Sequence, residues 1–91
     1  MSRVCEHARI CGRVQGVCFR YYTQQQASSL GICGWVRNCA DGSVEAMICG
    51  EAEQLEMMKQ WLRHGPSEAE VTSIAFSAGH LPDSCNDFRI V

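Results

Sequence analysis

Gly12-Arg13-Val14-Gln15-Gly16-Val17-Cys18-Phe19-Arg20 decides how the rest of the chain is read. An alternating run precedes this segment and an apolar spacing of three and four residues follows it, so it lies between a strand and a helix. Gly12 and Gly16 tolerate positive φ and close approach, which a turn needs if it is to aim successive backbone N–H groups at one point. A helix beginning near Phe19 leaves its first N–H groups unpaired and its dipole positive at that end. Arg20 adds a guanidinium fork able to hold two oxygens of a tetrahedral anion. The segment therefore reads as an anion-binding loop, although its residues alone are also compatible with a plain strand-to-helix turn carrying a surface arginine.

Working outward, Val4 to Cys11 alternates, with Val4, Ala8 and Ile10 on one face and Cys5, His7 and Arg9 on the other, as in a half-buried strand. Glu6 interrupts the apolar face and is expected near a sheet end within reach of water, and His7 is expected to be solvated. Phe19, Thr23, Gln26, Ala27 and Leu30 predict a first helix of about three turns, closed by Gly31. Tyr21 and Tyr22 near its start are placed to line a site, but packing against the sheet is the more frequent use of tyrosine there, and no chemistry is assigned to them. Ile32–Cys39 and Ser43–Gly50 are apolar-rich runs joined by Ala40-Asp41-Gly42, where Asp-Gly is a hairpin signal. Leu55, Met58 and Leu62, widened by Trp61, predict a second helix from Ala52 to Arg63 that Gly65-Pro66 ends. Val71, Ile74 and Phe76 predict a fourth strand from Glu70 to Ser77, and Phe88-Arg89-Ile90 a short terminal edge strand after a loop from Gly79 to Asn86.

The order is β-α-β-β-α-β with a short extra strand, and right-handed crossovers place both helices on one side. The expected fold class is α+β: a ferredoxin-like βαββαβ sandwich with an antiparallel four- to five-stranded sheet and two helices on one face. Many activities share that frame, so it decides none of them.

Composition narrows the choice. The 91 residues are expected to form one domain, residues 1–91, and 46% apolar with 20% charged residues is ordinary globular chemistry. A net charge of -2 with scattered Lys and Arg argues against a general nucleic-acid binder. An RNA-binding sheet would show paired exposed aromatics on strands one and three, where this chain carries Arg9, Cys11, Glu45 and Met47. No apolar run approaches the roughly 18 residues of a membrane span, and no signal-peptide core follows Met1, which makes the cytoplasm the default compartment. The 7 cysteines contain no CxxC pair, and His7, His64 and His80 complete no ligand set, so no metal is expected and most thiols read as free, filling apolar positions.

A second glycine-framed segment makes the reading specific: Gly34-Trp35-Val36-Arg37-Asn38, then Asp41-Gly42-Ser43-Val44, closing at Gly50. In this order and separation the two segments resemble the two signatures of the acylphosphatase family. The likeness extends to Trp61-Leu62, Gly65-Pro66 and Phe88-Arg89-Ile90. The resemblance implies hydrolysis of carboxyl-phosphate anhydrides to a carboxylate and inorganic phosphate, without a metal or organic cofactor. Its partners would be small-molecule acyl phosphates, with inorganic phosphate or sulfate as anion ligand, no nucleic acid and no membrane, and a monomer as the default state. Carried onto this chain, Arg20 matches the phosphate-binding arginine and Asn38 the asparagine that positions the attacking water. Gln15, Gly16, Val17, Cys18 and Phe19, with Arg20, match the phosphate cradle.

Two rivals share the loop. A regulatory module could use the same cradle without turnover. Cys18 could act as a nucleophile, since it sits beside an arginine and near a helix N-terminus, but a cysteine-dependent phosphatase needs Cys-x5-Arg and here Arg20 follows Cys18 by two. In the implied fold strand one lies antiparallel beside strand three, which brings Cys5 near Cys49 on the face away from the helices. Cys33 competes for Cys49 across the hairpin, and three reduced thiols are the remaining possibility.

Overall fold

The computed structural model describes residues 3–82 and 84–91. Its elements are β1 (Val4–Arg13), α1 (Phe19–Ser29), β2 (Cys33–Asn38), β3 (Val44–Gly50), α2 (Ala52–Leu62), β4 (Glu70–Ala78) and β5 (Phe88–Ile90). The strands lie in the order β4-β1-β3-β2-β5, and each neighbouring pair among the first four is antiparallel as expected. The fifth departs from an all-antiparallel sheet, because β5 pairs parallel to β2. Residues 79–87 carry the chain from the β4 edge to the opposite edge, and a strand that reverses β4 must run along with β2.

Register sets which side chains form the core. Ala8 faces Ala46, Ile10 faces Val44 and Val36 faces Ala46, so one face of the sheet is continuous and apolar. Phe19 and Ala27 of α1 and Leu55, Met58 and Leu62 of α2 close over it, all fully or almost fully buried. Burial of such side chains is worth about 1.5–3 kcal/mol each, which holds both helices on that side. Thr23 is buried among them, and its hydroxyl donates to the Phe19 carbonyl at 2.7 Å.

Local chemistry explains the element ends. Helix α1 stops in a Schellman motif: the Ile32 N–H donates to the Ala27 carbonyl at 2.9 Å and the Gly31 N–H to the Ser28 carbonyl at 3.3 Å. Strand β1 runs beyond the predicted Cys11 because its pairing with β4 shifts between Cys11 and Gly12. Gly12 adopts φ 126°, and a Cβ there would collide with the Glu70 carbonyl. This bulge turns the chain into the loop.

Several polar and sulfur side chains behave differently from expectation. Glu6, the third residue of β1 and still partly open to water as expected, also pairs with Lys59 of α2 at 3.0 Å and so tethers that helix to β1. His7 is half-buried, 2.5 Å from the Glu45 carboxylate and edge-on to Trp35. Tyr21 and Tyr22 do not pack on the sheet but stand exposed at 52% and 47%, their rings against each other. Cys5 and Cys49, directly opposite in the β1–β3 register with Cα atoms 4.1 Å apart, form a disulfide, so neither the Cys33–Cys49 pairing nor the fully reduced state is present. Cys33, Cys49's partner on β2, stays a free thiol and accepts a hydrogen bond from Arg3 at 3.4 Å. Burial, then the neighbouring Cys85 thiol, pushes its pKa up to about 11. Five cysteines are free thiols, as expected of most, but only Cys33 among them fills a buried position; Cys18 is exposed and Cys11, Cys39 and Cys85 are half-buried.

Candidate active site

The segment from Gln15 to Cys18 is a string of bends between β1 and α1. Gly16 takes φ 75°, and Cys18 takes φ 59°, the one positive φ outside glycine among the described residues. Cys18 occupies the N-cap of α1 without offering the helix amides a side-chain hydrogen bond, and the first turn contains Arg20 and no acidic residue. Each choice destabilises a helix start by an amount on the order of 1 kcal/mol: a missing cap, a cation at the positive pole, a left-handed residue with a Cβ. In α2 the charges follow the dipole, with Glu53 in the first turn and Lys59 in the last. Among the described residues no backbone hydrogen bond uses the N–H groups of residues 15–18. An anion at this position would relieve the unpaired amides and the uncompensated charge together.

Asn38 reaches the loop from the other side. It ends β2 opposite Val44 and shares the helix-facing side with Val36. The hairpin beyond it is tightly held: the Cys39 N–H donates to the Ser43 carbonyl at 2.8 Å, and the Asp41 carboxylate accepts from the Ser43 N–H at 3.0 Å and hydroxyl at 2.6 Å. Those two Ser43 donors hold the Asp41 carboxyl below its usual range. Arg9 on β1 donates to the Ser43 hydroxyl at 2.9 Å and to Asp41 at 3.2 Å. The Gln15 side-chain amide donates to the Cys39 carbonyl at 2.8 Å and the Ser43 carbonyl at 2.9 Å, joining the loop to the hairpin. Sequence reasoning assigned Gln15 to anion contact alone; its side chain is spent on the hairpin, and its backbone N–H remains for a ligand.

A cleft of about 400 Å³ opens between these pieces, lined by Val14, Gln15, Gly16, Cys18, Phe19, Arg20, Tyr21, Asn38 and Ile90. Of the candidate site residues read from the sequence it brings together Gln15, Gly16, Cys18, Phe19, Arg20 and Asn38, whereas Val17 packs against the core. Tyr21 was seen in the sequence without a role, and Ile90 carried no site signal there. Arg20 is half-buried and, among the described residues, has no hydrogen-bond, ion-pair or aromatic partner. The other arginines do: Arg3, Arg9, Arg13, Arg37 and Arg89 through hydrogen bonds, and Arg63 over the Phe76 ring. The exposed Asn38 side chain likewise has no partner among the described residues. One planar cation, a fan of amides and one carboxamide can receive a tetrahedral anion and a neutral water beside it.

An α+β sandwich with a cleft of unpartnered donors where its first strand turns into its first helix is the class that fold and site define. The acylphosphatase family model matches residues 6–90. A protein named acylphosphatase from Pseudomonas paraeruginosa is 47% identical over 78 residues, 86% of this chain and 86% of the relative. Another, from Thermococcus kodakarensis, is 44% identical over 91 residues, 100% of this chain and 99% of the relative. The solved structure of an acylphosphatase from Coxiella burnetii matches with a TM-score of 0.91 at 35% identity, over 98% of this chain and 93% of that one. The chain belongs to the acylphosphatase family, and its activity is hydrolysis of acyl phosphates. Among the described residues no helix is long and apolar enough to cross a membrane.

Proposed function

We propose that the cleft splits the carboxyl-phosphate bond with Arg20 and the backbone N–H groups of Gln15, Gly16, Val17, Cys18 and Phe19 holding the phosphoryl group, and with Asn38 positioning the attacking water. The observation that carries this reading is Arg20, a half-buried cation in the first turn of a helix with no counter-charge among the described residues, beside a loop whose amides have no partner among them.

The chemistry asks little more of the protein. The leaving carboxylate is stable as an anion, so no strong general acid and no covalent nucleophile is required. Catalysis reduces to positioning and to stabilising charge on the phosphoryl oxygens as bond order changes. The water oxygen bonds to phosphorus as the phosphorus–acyl oxygen bond breaks, and the acyl oxygen keeps the electron pair. A carboxamide is no base at neutral pH, so the water proton passes to a phosphate oxygen of the substrate. No step calls on a metal or an organic cofactor. In this reading the whole span 1–91 works as one domain and as a monomer, its catalytic set complete within one chain, with inorganic phosphate or sulfate competing at the loop and the cytoplasm as its compartment.

Steady-state hydrolysis of benzoyl phosphate in the presence of a chelator tests the assignment. Arg20→Ala should lose binding and turnover together, whereas Asn38→Ala should lose mainly kcat. Unchanged hydrolysis in either variant rejects the role given to that residue.

A further inference from the structure

The cleft has more room than a phosphoryl group needs. Its volume of about 400 Å³ lies within the roughly 300–1,000 Å³ of pockets that enclose whole organic ligands. The polar groups are already accounted for: the Gln15 amide is bound to the hairpin, while Arg20, Asn38 and the loop amides serve the phosphoryl group and the water. Val14 and Phe19, each 1% exposed, form the floor. What remains are the small exposed Cys18 thiol and two large apolar side chains turned toward solvent, Tyr21 at 52% and Ile90 at 40% exposure.

The fold holds these two side chains in place. Tyr21 lies in the first turn of α1, next to Arg20. Ile90 is opposite Val36 in the parallel β2–β5 pairing, on the strand whose end carries Asn38. The Gln24 amide of α1 donates to the Phe88 carbonyl at 2.9 Å, and the Val91 N–H donates to the Val36 carbonyl at 3.0 Å. Both ends of the short edge strand are thereby fixed to the elements that carry the catalytic pair.

We propose that Tyr21 and Ile90 form the subsite for the acyl half of the substrate, and that this subsite favours aromatic or branched aliphatic acyl groups. The inference rests on the catalytic reading above. A tyrosine ring gives apolar contact while its hydroxyl stays in water, and Ile90 offers a second apolar surface. Arg20 is the one charged side chain in the lining among the described residues, so an acyl group bearing its own ammonium finds no counter-charge among them. An apolar acyl group loses water contact favourably, and an acetyl methyl has little area to gain by it.

The test compares kcat/KM for benzoyl phosphate and acetyl phosphate in the wild-type protein, Tyr21→Ser, Ile90→Ser and the double variant, with inhibition by inorganic phosphate measured alongside. The double variant should lose about five- to tenfold in kcat/KM for benzoyl phosphate and under about twofold for acetyl phosphate. Phosphate inhibition should hold steady. Both positions are exposed, so folding is not at stake, and circular dichroism checks it. An active wild-type protein whose substrate ratio is the same in all four forms overturns the subsite alone. A folded wild-type protein that hydrolyses neither substrate overturns the catalytic reading, and the subsite with it.

Discussion

Gln15 shows how one side chain can set the spacing of a site it does not chemically join. Its amide binds two carbonyls of the hairpin that carries Asn38. Gln15→Ala should cost about 1–2 kcal/mol, at roughly 1 kcal/mol per net hydrogen bond. It should also lower kcat by about tenfold while inhibition by inorganic phosphate changes less than twofold, since small misplacement costs rate more than affinity. Urea unfolding and steady-state kinetics check the two halves. Cys18 makes the opposite case. Its left-handed backbone suits glycine, so Cys18→Gly should raise stability by about 1 kcal/mol, visible by calorimetry as a rise of about 4–8 °C. Activity should persist, and its loss would return the thiol to the chemistry. That Arg20 and Asn38 line one cleft was legible in the sequence, because both fall in the two signature segments that the strand order brings together. The side-chain role of Gln15 was not, because its acceptors lie 24 and 28 residues away and are backbone atoms, which leave no trace in residue type.

At the scale of elements, α1 begins with three choices that oppose helix formation. Arg20→Ala should therefore melt higher than the wild-type protein in the absence of anions. Added phosphate should stabilise the wild type, by about 2.7 kcal/mol at a hundredfold excess over Kd, and leave Arg20→Ala unchanged; thermal shift against phosphate concentration measures both. The hairpin predicts a pH effect. The hydrogen bond from His7, then Arg37, holds the Glu45 carboxyl below its ordinary value of 4.5 against the opposing effect of burial. A folded-state pKa below the unfolded one stabilises the fold above the unfolded value, and that contribution disappears as pH falls through the folded value. Asp41 acts in the same direction from 3.8. Urea midpoints should thus be flat above about pH 5 with respect to these groups and fall below it, with a shallower acid limb in Glu45→Gln. The helices, the hairpin and strands β1 to β4 were legible from spacing and from Asp41-Gly42. The direction of β5 was not, since it depends on which sheet edge the chain returns to after residues 79–87.

For the molecule as a whole, the Cys5–Cys49 bridge closes a sequence separation of 44 residues. Chain-entropy estimates for a loop of that size give about 4 kcal/mol, so the Cys5→Ser, Cys49→Ser double variant should unfold at a much lower urea concentration. Thiol titration of the denatured, unreduced protein should count five free cysteines, Cys11, Cys18, Cys33, Cys39 and Cys85; seven would show that the bridge is absent. Placing the bridge needed the β1–β3 register, because cysteine spacing alone admits Cys33 equally well. The same bridge also has a consequence in time. Strand β1 must find partners in both β3 and β4, and such distant pairings make folding slow because chain entropy is lost before contacts repay it. With the bridge intact, the unfolded chain already has the start of β1 beside the end of β3, at the end of the strand opposite the loop from Gln15 to Cys18. The oxidised protein should therefore refold faster than the double serine variant in stopped-flow dilution while both hydrolyse substrate at the same rate, so that oxidation governs how quickly an unfolded molecule returns to work and leaves its working speed alone.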